Sequence, residues 1–176
     1  MLKMFTTQLT GLFKKVSEKE EFSLEDGARL LAQASAGDGA IYLFGTSEMK
    51  AVLFEATEGA EPLRFGKILT KPQVAELTEA DRVLIVTRYS TDTEAIELAS
   101  LLKEKGIPFV AMASVPENSS GDLAELADVH INLWLTKGLL PDEQGDRFGL
   151  PFAMAALFAY YGLTFTLKEI LDEYEL

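Results

Sequence analysis

Residues 81–113 read DRVLIVTRYSTDTEAIELASLLKEKGIPFVAMA, and this stretch constrains the fold more than any other. RVLIVT and IPFVAMA are short unbroken apolar runs, as expected of strands covered on both faces. Between them, Thr91 to Lys105 carries apolar residues at helical spacing and stops at Gly106, which closes a helix well because glycine adopts left-handed backbone freely. A strand, a helix and a strand in that order make a parallel pair, since the helix must cross back over the sheet with right-handed sense. Such a unit needs helices over the sheet, so the chain is predicted to be of the α/β class.

The flanking sequence extends the pattern. AIYLF, Ala40 to Phe44, lies between Gly39 and Gly45 and reads as a first strand; VHINLWL reads as a last one, and Glu61 to Ile68 holds at most a short strand. The prediction is a doubly wound, three-layer αβα sandwich around a five-stranded parallel sheet of flavodoxin-like topology. Met1, Phe5, Leu9, Leu12 and Val16 form one face of an N-terminal helix over residues 1–20. Ser23 and Asp26 resemble a capping box for a second helix that runs to Gly37. Further helices are expected at Ser47 to Thr57, Lys71 to Leu77, Asp122 to Leu126 (capped by Ser119 or Ser120) and Pro151 to Tyr161, with Thr166 capping a separate last one. Thr136 to Gly149 reads as a loop. Residues 1–176 form one domain in this reading, with core βα units over 24–133 and C-terminal helices over 150–176.

Composition removes several functions. At 176 residues and 48% hydrophobic, the chain can bury a core without staples. It has no cysteine, which excludes thiolate catalysis and cysteine-held zinc, and its single histidine leaves no metal constellation, so no metal is expected. A net charge of −12 argues against nucleic acid as a partner. No run approaches the ~20 apolar residues that span a bilayer, so no membrane partner and a cytoplasmic location are expected. There is no GxGxxG or GxxxxGK loop, and no cofactor is expected.

In open parallel sheets, ligands bind at the carboxyl ends of the strands near the point where strand order reverses. That rule selects three loops: FGTSEMK, TRYSTDTEA and ASVPENSSGDLAE. The second places Ser90, Thr91 and Thr93 at a helix start, where free amides favour an anion. The alternative is that Ser90 or Thr91 caps the helix while Asp92 and Glu94 complement its dipole.

These blocks, together with SSGDLAELADVHINL, resemble the SIS domain, the sugar isomerase module, over roughly Leu24 to Leu133. TRYSTDTEA is similar to the family's SxSGxTxE phosphate loop, with Ser90, Thr93 and Glu94 matching; Arg88 replaces the first serine and Thr91 the glycine. Gly45 matches the first glycine of the family's GxGxS loop, whereas Ser47 and Met49 depart from it. The resemblance implies a sugar phosphate held by Gly45, Thr46, Ser47, Arg88, Ser90, Thr91, Thr93, Ser119 and Ser120. Arg88 either reaches the phosphate through its guanidinium fork or pairs with Glu48 or Asp92. The resemblance also implies pairing into at least a homodimer, with the aromatic helix FAMAALFAYYG either at the interface or in the core.

Phosphoheptose isomerases, one branch of the superfamily, use a glutamate and a histidine. Glu48 is the candidate base here, while His130 sits inside a predicted strand, where a structural role is expected. The expected function is therefore phosphosugar binding by a sensor or regulatory domain. The alternatives are a sugar-phosphate isomerase and a protein-interaction module with a decayed pocket.

Overall fold

The structure, a computed structural model, describes residues 1–174. Five strands, β1 (Ile41–Gly45), β2 (Gly66–Ile68), β3 (Arg82–Tyr89), β4 (Phe109–Ser114) and β5 (Val129–Asn132), form a parallel sheet in the order β2-β1-β3-β4-β5. Helices α1 (Leu2–Lys19), α2 (Glu21–Ala36), α3 (Lys50–Glu58), α4 (Thr93–Lys105), α5 (Leu123–Leu126) and α6 (Phe152–Glu173) cover it on both sides. Side chains alternate across the pleat. Leu43, Leu84, Val86, Val110 and Met112 pack with α1, α2, α3 and α6, while Val83, Ile85, Phe109 and Ala111 pack with α4. Val83 to Val86 are fully buried, which explains why that strand reads as an unbroken apolar run. The α/β prediction and its five-stranded sheet hold.

Strand order reverses between β1 and β3, so their carboxyl ends flank a crevice that no crossover covers. Past Val86 the β3–β4 register slips: Val86 pairs with Met112, but Tyr89 pairs with Ser114. β3 therefore carries one extra residue, a bulge that re-aims Thr87 and Arg88.

Several local expectations are corrected. The second helix begins at Glu21 and has no Ser23 capping box. Glu20 is the whole joint between α1 and α2: its N–H donates to the Val16 carbonyl (2.9 Å) and its carbonyl accepts from the Leu24 N–H (2.7 Å). Its carboxylate holds the Trp134 indole N–H at 2.7 Å, which fixes the corner. The C-terminal region is a single 22-residue helix, and Thr166 lies within it, donating to the Gly162 carbonyl at 3.3 Å. Gly162 does not end the helix, because Leu163, Leu167 and Leu171 continue the buried stripe beyond it. The segment 136–149 contains a small hairpin, β6 (Leu140–Pro141) with β7 (Arg147–Phe148), whose turn is closed by Asp142 accepting from the Gln144 and Asp146 amides.

Helix starts also differ. α4 begins at Thr93 and is capped by Asp92, whose Oδ1 accepts from the Ala95 N–H at 3.1 Å, so neither Ser90 nor Thr91 caps it. Asp122, and neither Ser119 nor Ser120, caps α5 through the Ala124 N–H at 3.0 Å. Aspartate ranks among the strongest N-caps, and in both places it stands immediately before the helix. A 3-10 turn, Ser47–Met49, precedes α3. No helix among the described residues is long and apolar enough to cross a membrane.

Candidate functional site

The carboxyl ends of β1, β3 and β4 meet in a network built from buried hydroxyls and capping carboxylates. The Thr46 hydroxyl lies 3.0 Å from that of Thr87 and donates to Asp92 Oδ2 at 3.0 Å. With its one hydrogen given to Asp92, Thr46 must accept from Thr87. The chain Thr87 to Thr46 to Asp92 to the α4 amide thus locks the end of β1, the β3 bulge and the start of α4 together. Gly45 permits this closeness: a Cβ there would lie 2.9 Å from Leu53 Cδ1 and 3.3 Å from the Met49 backbone.

Ser90 is fully buried. Its N–H donates to the Ser114 carbonyl and its carbonyl accepts from Leu123, both at 2.9 Å, while its hydroxyl donates to Asp122 Oδ2 at 2.5 Å. Asp122 is itself buried, which alone would raise its carboxyl pKa. Hydrogen bonds from the Ser90 and Ser119 side chains and from the Ala124 and Glu125 amides outweigh that effect and hold it below the usual carboxylate range.

The exposed groups form the rim. Thr91, Thr93, Ser47 and Ser120 face solvent, Ser119 is half-buried, and Ser47 adopts left-handed backbone with φ 49°. Arg88 and Glu48 span the crevice as a bidentate pair: Arg88 Nε donates to Glu48 Oε1 at 2.7 Å and Nη2 to Oε2. Both remain partly exposed, at 48% and 39%. The hydrogen bond from Arg88 pulls the Glu48 carboxyl below its usual pKa, and the same bond pushes the guanidinium up. A carboxylate held this way is a weaker proton acceptor than a general base requires.

His130 stands apart from this crevice. It lies on β5 opposite Ala111, and three strand spacings, roughly 14 Å, separate β5 from β1. Burial lowers its pKa, and its Nε2 is enclosed without a hydrogen-bond partner. Glu48 and His130 therefore do not meet within one chain. Among the described residues, no group of three or more His, Cys, Asp or Glu is arranged to hold a metal ion. Cavities of about 380 Å³, lined by Ser35, Lys67 and Asp81, and about 520 Å³, lined by Tyr160, Tyr161 and Phe165, lie away from the carboxyl edge.

Sequence reasoning did not identify Thr87, or Asp92 and Asp122 as caps that organise the loops. The caps had a signal, an aspartate directly before TEA and before LAEL; Thr87, placed by the bulge, had none.

The sequence model of the family described as a domain of unknown function, DUF2529, matches residues 1–171. The chain belongs to this family. A relative, the uncharacterized protein YwjG of Bacillus subtilis, is 47% identical over 175 residues, 99% of each chain. Among solved structures, the domain is similar to the Vibrio vulnificus NanR protein complexed with ManNAc-6P (TM-score 0.68, 14% identity), covering 97% of this chain and 61% of NanR. The chain thus spans under two thirds of NanR's length. It is also similar to the sugar isomerase domain of the RpiR transcription factor from Sphaerobacter thermophilus (TM-score 0.61, 13% identity), covering 99% of this chain and 97% of that one. At such identities the likeness is one of fold, and this DUF2529 domain has the fold of SIS domains.

Proposed function

We propose that this DUF2529 domain binds a phosphorylated sugar at the carboxyl edge of β1 and β3 and acts as a sensor or regulatory module. The observation that carries this reading is the division of labour among the hydroxyls. Thr46, Thr87 and Ser90 are buried and tie the loops together, whereas Thr91, Thr93 and the Arg88 guanidinium stand at the rim beside the first turn of α4. A phosphate there meets a charged fork, two hydroxyls and helix-start amides. The ManNAc-6P complex of NanR, a protein of the same fold, supports the ligand class.

In this reading Ser90 positions the loop and the sugar lies toward Ser47, Ser119 and Ser120. The chain works as one domain over residues 1–176 and as a homodimer, in which exposed Met154 and Phe165 of α6 are covered. Isomerisation needs a base and a second proton-transfer group. Glu48 is acidified by Arg88 and His130 is strands away, so we assign no turnover to a single chain.

Thermal unfolding against a panel of sugar phosphates, with the unphosphorylated sugars as controls, tests the proposal, because ligands of the native state raise the midpoint by mass action. A rise with a sugar phosphate that shrinks in Thr93→Ala and Arg88→Ala is the expected result. No rise with any member of the panel would refute it and favour a protein-interaction role. Conversion of an aldose phosphate to its ketose would restore the isomerase reading, with His130 supplied by a second subunit.

A further inference from the structure

The Arg88 fork is occupied by an anion the protein carries itself. Glu48 meets it with both carboxylate oxygens, the geometry a ligand carboxylate or phosphate would use. The pair joins the 3-10 turn after β1 to the bulge of β3 and so bridges the two loops flanking the crevice. Glu48 is exposed and stands on a short surface turn, so its side chain can rotate into water without uncovering the core. The other charged or titratable groups acting on Arg88 are Tyr89 and Asp92; Asp92 stays in place because it caps α4 and accepts from Thr46.

We infer that Glu48 is an internal competitor for the Arg88 anion point, which sets a threshold that favours phosphate monoesters over ligands able to contact the guanidinium alone. The inference rests on the phosphosugar reading above for the identity of the natural ligand. A monoanion offers Arg88 no more than Glu48 already does, and Glu48 is tethered beside it. A phosphate monoester carries close to two charges at neutral pH and three acceptor oxygens. It can take the fork and still bond the Thr91 and Thr93 hydroxyls and the α4 amides, which Glu48 leaves untouched. Asp92, fixed nearby, repels every incoming anion, a dianion most, so the phosphate must gain its advantage from the fork, the hydroxyls and the amides. Ligand preference is thereby set by these added bonds once Glu48 is displaced: sugar phosphates are favoured over uronic acids and phosphodiesters.

The test is calorimetric titration of wild type, Glu48→Gln, Glu48→Ala and Arg88→Ala with inorganic phosphate, acetate and glucose 6-phosphate at one ionic strength. Removing the tethered charge is expected to tighten phosphate by up to about fivefold, the scale of an exposed ion pair. Acetate, much the weaker ligand of wild type, gains by a similar factor in Glu48→Ala, and Arg88→Ala binds neither anion. Phosphate affinity that is unchanged or weaker in both Glu48 variants overturns the inference, as does silence of all variants toward phosphate. Glucose 6-phosphate separates the two proposals. If Glu48 variants gain phosphate affinity but sugar phosphates bind no better than phosphate, the competitor stands and the sugar reading falls. If glucose 6-phosphate binds all Glu48 forms alike, the sugar reading stands and the competitor falls.

Discussion

Ser90 and Asp122, 32 positions apart, share a buried hydrogen bond of 2.5 Å that ties the end of β3 to the start of α5. The hydroxyl that resembles a phosphate ligand is spent on a carboxylate. Ser90→Ala leaves a buried acceptor short of one donor, a loss of about 1–3 kcal/mol. The expected outcome is a melting temperature several degrees lower in the ligand-free protein, at roughly 2–4 °C per kcal/mol for a chain of this length. An unchanged midpoint in thermal unfolding would remove the structural role assigned to this bond.

His130, the single histidine, provides a pH signature. Burial depresses its pKa in the folded state, whereas the unfolded chain titrates near the ordinary value of about 6.5. Below that pH the unfolded chain binds the proton first, so stability is full above about 6.5 and falls as pH drops toward the folded pKa. Denaturant unfolding at pH 7.5 and 5.5 is expected to show this loss in wild type and a smaller one in His130→Gln. Equal losses in both proteins would assign the slope to other groups.

Gly45→Ala should damage the site and the fold together. The added Cβ would lie 2.9 Å from Leu53 Cδ1 and 3.3 Å from the Met49 carbonyl oxygen, so the 3-10 turn must move. A cost of about 1–3 kcal/mol is expected from such overpacking. Because Glu48 rides on that turn, nitrogen NMR of the Arg88 side chain should also report a broken pair. A variant with wild-type stability and an unshifted Arg88 signal would contradict the packing described.

Trp134 is the lone tryptophan and reports on the corner between α1 and α2. Its indole N–H donates to Glu20 at 2.7 Å, and Lys15 lies 4.3 Å from the ring. Glu20→Ala removes a charged acceptor, with an expected loss of about 1.5–3 kcal/mol. Tryptophan emission should move toward that of a solvent-exposed ring before the sheet unfolds. Coincident fluorescence and circular-dichroism transitions in Glu20→Ala would argue against a separately loosened α1.

The parts of the fold legible in the sequence are those set locally. Val83 to Val86 and Phe109 to Ala113 lie buried on both faces, and that burial is written as continuous apolar runs. The strand order followed because right-handed crossovers leave few alternatives. Contacts between distant positions account for what was misread. The helix start moved from Ser23 to Glu21 because Glu20 is fixed by Trp134, 114 residues away. Two helices were expected, one to Tyr161 and one from Thr166, but the core beneath Leu163 and Leu167 carries a single helix through. In the candidate site, the hydroxyl loop was legible as a loop. The direction of each hydroxyl was not: a serine awaiting phosphate and one bonded to a later aspartate have the same local sequence. The pairing of Arg88 with Glu48 was one of the alternatives the loops allowed, and the bulge after Val86 determines it.

The order in which α6 is made has a consequence for biosynthesis. Phe152, Ala155, Ala156, Ala159, Leu163 and Leu167 belong to the same core cluster as Leu43, Leu84 and Val110 of the sheet, and α6 follows every other described element in the chain. While the ribosome is still translating residues 152–173, the strands are complete and α2 and α3 already lie on this sheet face, but the apolar side of α2 and the remaining part of the face lack α6. A nascent chain in that state presents exposed apolar surface to chaperones. Termination or stalling before Leu163 would therefore yield a chaperone client or an aggregate, and not a shortened but working domain.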